Sequence, residues 1–474
     1  MEHHLKIGLA PTRRNVFSKE SALEHKRLIE KKLTSWNVDF VGLDWLNKEG
    51  LLYDQKDSQR VAERFRNEKI DALFLPHVNF GTEAAVGNLA KELGLPVLLW
   101  GPRDDSPLQD GSRTRDTQCG LFATSKLLRR FNVPFTYIVN TTIDDKVFER
   151  GFKTFLAAVS VVKAFRNMRI GVISTRPGDF WTVIHNEGEL LERFGIELVP
   201  TTLVDVVDWA EKLIESREVK EEMELLSQRV DYSGIDRKDL EKVLALKRAM
   251  KKWASEEELS ALAIQCWNAL QRAFGVMPCF AHSLLSDEGI PVACETDVHG
   301  AISMHLAQAA TMFQRPSFLA DLTIRHPEDD NTELLWHCGP FPLSLAKSRP
   351  KIGRHFILES HSPGVSEWEI EGGDISILRF DGDNSQYKIF ASHTRAVSGP
   401  FNKGTYVWVK FKNWPRIEEK LIYGPYIHHV AGVHGKIAPV ILEASKYMSG
   451  VEFDDGEPEA AELRSWLRCE IDEL

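Results

Sequence analysis

The sequence predicts an α/β chain: two Rossmann-like parallel-sheet domains followed by a β-rich, barrel-like C-terminal domain. Three observations carry this. Short apolar runs alternate with amphipathic helical stretches through the first two thirds of the chain, as in a parallel sheet covered by helices. KIGLAPTRR and RIGVISTRP share an Ile-Gly start and a Thr-Arg end, a hint that one unit occurs twice. Beyond residue 342 the pattern becomes alternating and turn-punctuated, with EGG and DGDN as hairpin signals. The expected domains are 1–165, 166–342 and 343–474.

Taken in order, residues 5–12 (LKIGLAPT) predict a buried first strand. SKESALEHKRLIEKKLTSW follows as an amphipathic helix with Ser18 as its N-cap. VDFVGLDWL, DALFLPHVNFG, PVLLWGP and PFTYIVN predict strands two to five. Helices near 58–68, over GTEAAVGNLAKELGL (closed by Gly94) and over TQCGLFATSKLLRRF separate them. After a helix around 147–166, RIGVISTRP and GIELVPTTLVD predict the strands of the second unit. The charged stretch 206–255 predicts a solvated helical pair, and ELSALAIQCWNALQRAF an apolar-faced helix. PVACE predicts the end of a buried strand, AISMHLAQAATMF a helix, and SFLAD a second strand end. HFILESHS, SEWEIEGGDISILRFDG, QYKIFASHTRAV and GTYVWVKFKN supply the strands of the last domain.

Several function classes lose support. A net charge of −10 and a pI near 5.9, without a basic cluster, argue against a nucleic-acid partner. No apolar run is long enough to span a membrane. The start, MEHHLKIGLAPTRR, does not read as a signal peptide, and six scattered cysteines without a CxxC pair suit reduced thiols. A cytoplasmic protein is expected. Neither GxGxxG after the first strand nor GxxxxGK[ST] is present, so dinucleotide and P-loop sites lack support.

The stretch from Cys294 to Gly339 carries the chemistry. Glu295, Asp321 and His337 each end an apolar run. A buried carboxylate without a partner is costly, so such acids suggest a metal, a cation or a proton-transfer role, with capping as the competing explanation. Asp297 rivals Glu295, lying two residues on. Later, His428, His429 and His434 follow a Gly-Pro-Tyr turn. Adjacent histidines in a strand point to opposite faces, so at most one of His428 and His429 is expected to be a ligand. Cys294 and Cys338 read as small buried residues beside the site. In the N-terminal unit, Arg13, Arg14, His77, Asn79, Glu83 and Arg103 fall at strand ends or the start of a helix, where polar ligands or simple capping fit.

CETDVHGAISM, the FLAD segment, HCG and the late HH together resemble the L-fucose isomerase and L-arabinose isomerase superfamily, with NFGTE and IQCWNAL also in character. The resemblance runs along the whole chain. It implies metal-dependent aldose–ketose isomerisation of a pentose or deoxyhexose (L-fucose, L-arabinose or D-arabinose type) through an enediol, with Mn²⁺ or another divalent ion such as Co²⁺. Carried over, the ligands fall on Glu295, Asp321 and one of His428 or His429, with His429 preferred. Arabinose isomerases add a histidine at the spacing of His337. Glu295 and Asp321 are the implied acid/base pair. The resemblance also implies a homo-oligomer, a trimer or hexamer, with active sites shared between protomers. Trp181 and Trp267 are candidates for stacking on a sugar. The alternatives are a non-catalytic sugar-binding protein and a metal-dependent hydrolase or lyase of a sugar derivative.

Overall fold

The N-terminal alternation folds into an all-parallel, five-stranded sheet. Its strands are β1 (Lys6–Leu9), β2 (Asp39–Val41), β3 (Ala72–Pro76), β4 (Val97–Trp100) and β5 (Thr136–Tyr137), in the order β2-β1-β3-β4-β5. The computed structural model describes residues 4–166, 168–358 and 360–474. It comprises two compact units: Met1–Lys163 with Leu442–Met448 and Ala461–Leu474, and Ala164–Ile441 with Ser449–Ala460. In the first unit Leu73, Leu75, Val97 and Leu99 are fully buried under helices, which is why these strands read as continuous apolar runs. Ser18 caps the helix Lys19–Ser35 by accepting from the Ser21 amide, and Gly94 ends the helix Glu83–Leu93 at φ 62°.

The second unit opens with a smaller parallel sheet: β6 (Arg169–Ile173), β7 (Glu197–Thr201), β8 (Ala261–Ile264) and β9 (Val292–Ala293), in the order β7-β6-β8-β9. This repeats the order of the first four strands of the N-terminal sheet, in line with the shared Ile-Gly and Thr-Arg signature. The topology is the doubly wound one whose ligands sit beyond the carboxyl ends of the strands.

A barrel follows. Its staves are β10 (Ser317–His326), β11 (Asp329–His337), β14 (Asp374–Asp383), β15 (Gln386–Val397), β16 (Thr405–Lys410) and β17 (His429–His434). Antiparallel pairing runs β16-β11-β10-β17-β14-β15, and β15 pairs back onto β16, closing six strands. Strands β12 (Lys351–Arg354), β13 (Pro363–Glu369) and β18 (Val451–Asp455) extend it at the margins. Among the described residues no helix is long and apolar enough to cross a membrane.

Several local expectations change. ELSALAIQCWNALQRAF is not one helix: Ala261–Ile264 is the buried strand β8, and a short helix, Ala269–Phe274, follows. A four-residue apolar run inside a helical composition is ambiguous by period alone, and the sheet decides it. The stretch 206–255 holds parts of three helices, Leu203–Glu211, Arg217–Ser227 and Arg237–Glu256. The last is not solvated throughout, since Val243, Leu244, Leu246 and Met250 are buried. The strand expected over GIELVPTTLVD stops at Thr201, where Thr202 caps the next helix. SFLAD begins a ten-residue barrel strand, so Asp321 sits inside β10 and not at a parallel-strand end. The described residues of 355–362 form a loop; Glu359 lies outside the description.

Candidate functional site

Strand β9 ends at Ala293, and the chain then turns sharply. Glu295 and Thr296 both adopt left-handed backbone, at φ 55° and 57°. This conformation costs a non-glycine residue about 1–2 kcal/mol, and such strain gathers at functional sites. The turn sends the Glu295 side chain into a buried pocket. Its Oε1 accepts from Trp267 Nε1 at 3.1 Å and lies 3.6 Å from Cys266 Sγ. Its Oε2 is buried and has no hydrogen-bond partner, lying 3.7 Å from His337 Nε2 and 3.9 Å from His429 Nε2.

The barrel supplies the rest. In the β10–β17 register Asp321 stands directly opposite His429, which puts their side chains on one face. Asp321 Oδ1 is 3.3 Å from His429 Nε2 and is otherwise unpartnered. His337 ends β11. The structure therefore brings Glu295, Asp321, His337 and His429 together from β9, β10, β11 and β17. Glu295, His337 and His429 offer donor atoms within 4.8 Å of one another, as do Asp321, His428 and His429. Of the adjacent pair, His429 opens β17 and is buried, while His428, just before the strand, is exposed.

Hydrogen bonds assign different protons to the two buried histidines. His429 Nδ1 lies 2.9 Å from the Asp297 carboxylate, which takes its N–H and leaves the Nε2 lone pair facing Asp321 and Glu295. His337 Nδ1 instead accepts from the Cys338 backbone amide at 2.9 Å. A neutral His337 then carries its proton on Nε2, aimed at Glu295 Oε2. Burial alone would raise the Glu295 pKa, but His337 and His429, when protonated, outweigh it and bring it to about 2. Burial likewise opposes charge on Asp297, and Arg379 and His429 bring it well below the carboxylate range.

Behind His429 runs a line of buried charges. Arg379 Nη1 and Nη2 donate to the two oxygens of Asp297 at 2.5 and 3.1 Å. Its Nε donates to Asp381 at 2.8 Å, and Asp381 lies 2.9 Å from His299 Nδ1. Asp297, the rival to Glu295 in sequence, also caps the helix Val298–Ala310 through the Gly300 amide. It supports His429 and does not face the donor cluster directly.

The remaining candidates separate. Trp267 hydrogen-bonds Glu295, whereas Trp181 is 72% exposed. Phe180, not singled out in the sequence, stacks 5.9 Å from the His429 ring and meets Trp267 edge-on. His428 lines a cleft of about 780 Å³ with Trp414 and Tyr426. In the first unit, His77 is buried and bonds the Phe80 carbonyl, and burial lowers its pKa to about 4. Asn79 accepts from the amides of Arg14 and Gly81, while Arg14 pairs with Glu83. These polar groups hold their own loop together.

The fucose/sulfoquinovose isomerase N-terminal domain family matches residues 8–166. A sulfoquinovose isomerase from Priestia aryabhattai is 26% identical over 409 residues, covering 85% of this chain and 89% of that protein. One from Alkalicoccus urumqiensis is 26% identical over 379 residues, covering 79% and 84%. The chain belongs to the fucose-isomerase-like superfamily. Within it the chain is an enzyme of the aldose–ketose isomerase class, an intramolecular oxidoreductase.

The buried donor set suits the divalent ion on which fucose-isomerase-like proteins generally depend. Two buried carboxylate oxygens without partners and an imidazole lone pair converge there. Left without a cation, such oxygens stay buried without a hydrogen-bond donor of their own. Oxygen-rich sites with one imidazole favour hard and borderline ions such as Mn²⁺ or Co²⁺.

Proposed function

We propose that this superfamily member interconverts an aldose and its ketose at the Glu295–Asp321–His429 centre. The relatives named for sulfoquinovose make that anionic deoxyhexose the first substrate to test, ahead of L-fucose, L-arabinose and D-arabinose. The supporting observation is the convergence of the unpartnered Glu295 and Asp321 oxygens on the His429 Nε2 lone pair. Glu295, Asp321 and His429 would hold a divalent ion, Mn²⁺ or Co²⁺. When bound, the ion supplies Lewis-acid polarisation of the sugar carbonyl and its neighbouring hydroxyl.

The residues around it have separate tasks. One of the carboxylates, Glu295 or Asp321, takes the proton from the carbon beside the carbonyl and returns it to the adjacent carbon. The low pKa of Glu295 keeps it ionised and able to accept. The Nε2 proton of His337 faces Glu295 Oε2 at 3.7 Å, which favours the ionised carboxylate and argues against His337 as a fourth ligand. Asp297 fixes the His429 tautomer. Phe180 covers the His429 ring on one side and limits water. The cleft beside His428 falls within the size range of small-molecule sites.

The test strips the metal, restores Mn²⁺ and follows the sugar panel in deuterated water by NMR. Metal-dependent deuterium at the carbon beside the carbonyl, lost in Glu295→Gln and Asp321→Asn, is the expected result. A stoichiometric Mn²⁺ complex that exchanges no sugar of the panel would overturn isomerisation of those sugars.

A further inference from the structure

Glu295 has two oxygens, and they face chemically different neighbours. Oε2 faces the nitrogen and oxygen donors described above. Oε1 faces sulfur: Cys266 Sγ is 3.6 Å away, and Cys294 Sγ completes a group whose donor atoms lie within 4.8 Å of one another. His282 Nδ1 is 3.7 Å from Cys294 Sγ. Cys266, Cys294 and His282 have no exposed surface, and Glu295 is 7% exposed. The Nε2 of His282 has no partner.

Two of these separations are those of coordination-shell edges. Bonds of about 2.3 Å to sulfur and about 2.0–2.1 Å to nitrogen or oxygen give a tetrahedral ion S···N and S···O edges of about 3.6 Å. The Cys266–Glu295 and Cys294–His282 separations match that edge, and Cys266, Cys294 and Glu295 form the group of three donors, with His282 beside Cys294 only. Two sulfurs and one carboxylate make a donor set that selects soft or borderline d¹⁰ ions over Mn²⁺.

We propose that Cys266, Cys294 and Glu295 form a second, thiophilic metal site for Zn²⁺ or Cd²⁺, with His282 beside Cys294. The site shares Glu295 with the first centre. Loading exchanges two thiol protons for one ion: two S–H bonds break, two metal–sulfur bonds form, and two protons leave to solvent. No oxidant or reductant is involved. Because one carboxylate serves both sites, occupancy of the thiol site draws Glu295 away from the first centre and weakens Mn²⁺ binding there.

The full chain, stripped of metal and kept reduced, is titrated with Cd²⁺ while the ultraviolet thiolate-to-cadmium charge-transfer band is recorded. The expected result is a band that saturates at one ion per chain, with two protons released per ion in a dilute indicator solution. X-ray absorption of the same sample should count two sulfur neighbours, a readout that needs no variant. Electron paramagnetic resonance of added Mn²⁺ should show more free ion once Cd²⁺ is bound. Cys266→Ser with Cys294→Ser should abolish the band. A neighbouring pair, Cys279 and Cys338, has its sulfurs 3.7 Å apart and is the control. A band that survives loss of Cys266 and Cys294 but disappears in Cys279→Ser with Cys338→Ser refutes the site. One bound Cd²⁺ without sulfur neighbours refutes it equally. None of these readouts uses turnover, so the thiol site is tested apart from the isomerase chemistry.

Discussion

Asp297→Asn isolates one charge at the back of the centre. Asp297 is 1% exposed and accepts from Arg379 at 2.5 and 3.1 Å, from the Gly300 amide at 2.9 Å, and from His429 Nδ1 at 2.9 Å. Asparagine keeps an oxygen for the helix cap but removes the charge that balances Arg379 and orients His429. Breaking a buried pair costs about 3–5 kcal/mol. The loss should be about 3 kcal/mol, because Arg379 retains Asp381 at 2.7 Å. Loss of an outer-shell partner of a ligating histidine lowers metal affinity by about 10–100-fold. Urea unfolding of the metal-free protein measures the first quantity, and resonance of free Mn²⁺ the second. Asp381→Asn is the control, since Asp381 touches Arg379 but not His429; it should lose stability with little change in Mn²⁺ affinity. The stability difference also has a sign in pH. The folded-state pKa of Asp297 is depressed, so its contribution is present above the unfolded value of about 3.9 and fades as pH falls through the folded one. If Asp297→Asn binds Mn²⁺ as tightly as the unaltered chain, Asp297 does not act through His429.

Other outcomes follow from the same geometry. Mn²⁺ at about 100 times its Kd should stabilise the protein by about 2.7 kcal/mol, and Glu295→Gln should remove most of that shift in a thermal melt. Burial raises the pKa of Glu333 to about 7, with Arg325 opposing and Glu418 adding to the rise. A raised acid costs stability as pH climbs from its unfolded value to the folded one, so Glu333→Gln should raise Tm at pH 8 more than at pH 5. A Cβ on Gly432 would lie 2.2 Å from the Phe318 ring, so Gly432→Ala should destabilise by about 1–3 kcal/mol in urea unfolding.

Much of this was legible in the sequence. Strands β1, β3 and β4 of the first unit could be read because they are buried apolar runs between helices. The acids at 295 and 321 stood out because each ends an apolar run, and the histidines at 428 and 429 because they follow a Gly-Pro-Tyr turn, the preference for His429 coming from the resemblance. What could not be read has identifiable causes. Strand β8 hid within helix-forming residues, since four apolar residues have no period of their own. Asp321 looked like a strand end because the six-stranded barrel lets an acid sit mid-strand where its face meets the pocket. Arg379 and Asp381 were invisible, because their roles depend on long-range pairing of β14 with β17. The tautomers of His337 and His429 rest on single hydrogen bonds that spacing does not encode. The left-handed turn at Glu295 and Thr296 has no glycine to announce it.

The order in which the barrel is assembled has a consequence for biosynthesis. Strand β17 is the last of the six staves to be synthesised, yet it lies between β10 and β14, both of which precede it. A nascent chain on the ribosome that has reached β16 therefore has β10 and β14 exposed as unpaired edges, and it lacks His429. Such edges invite association with other incomplete chains. Insertion of β17 removes both edges and delivers His429 in the same event, so a chain that can take up an ion at this centre is one whose barrel has already closed.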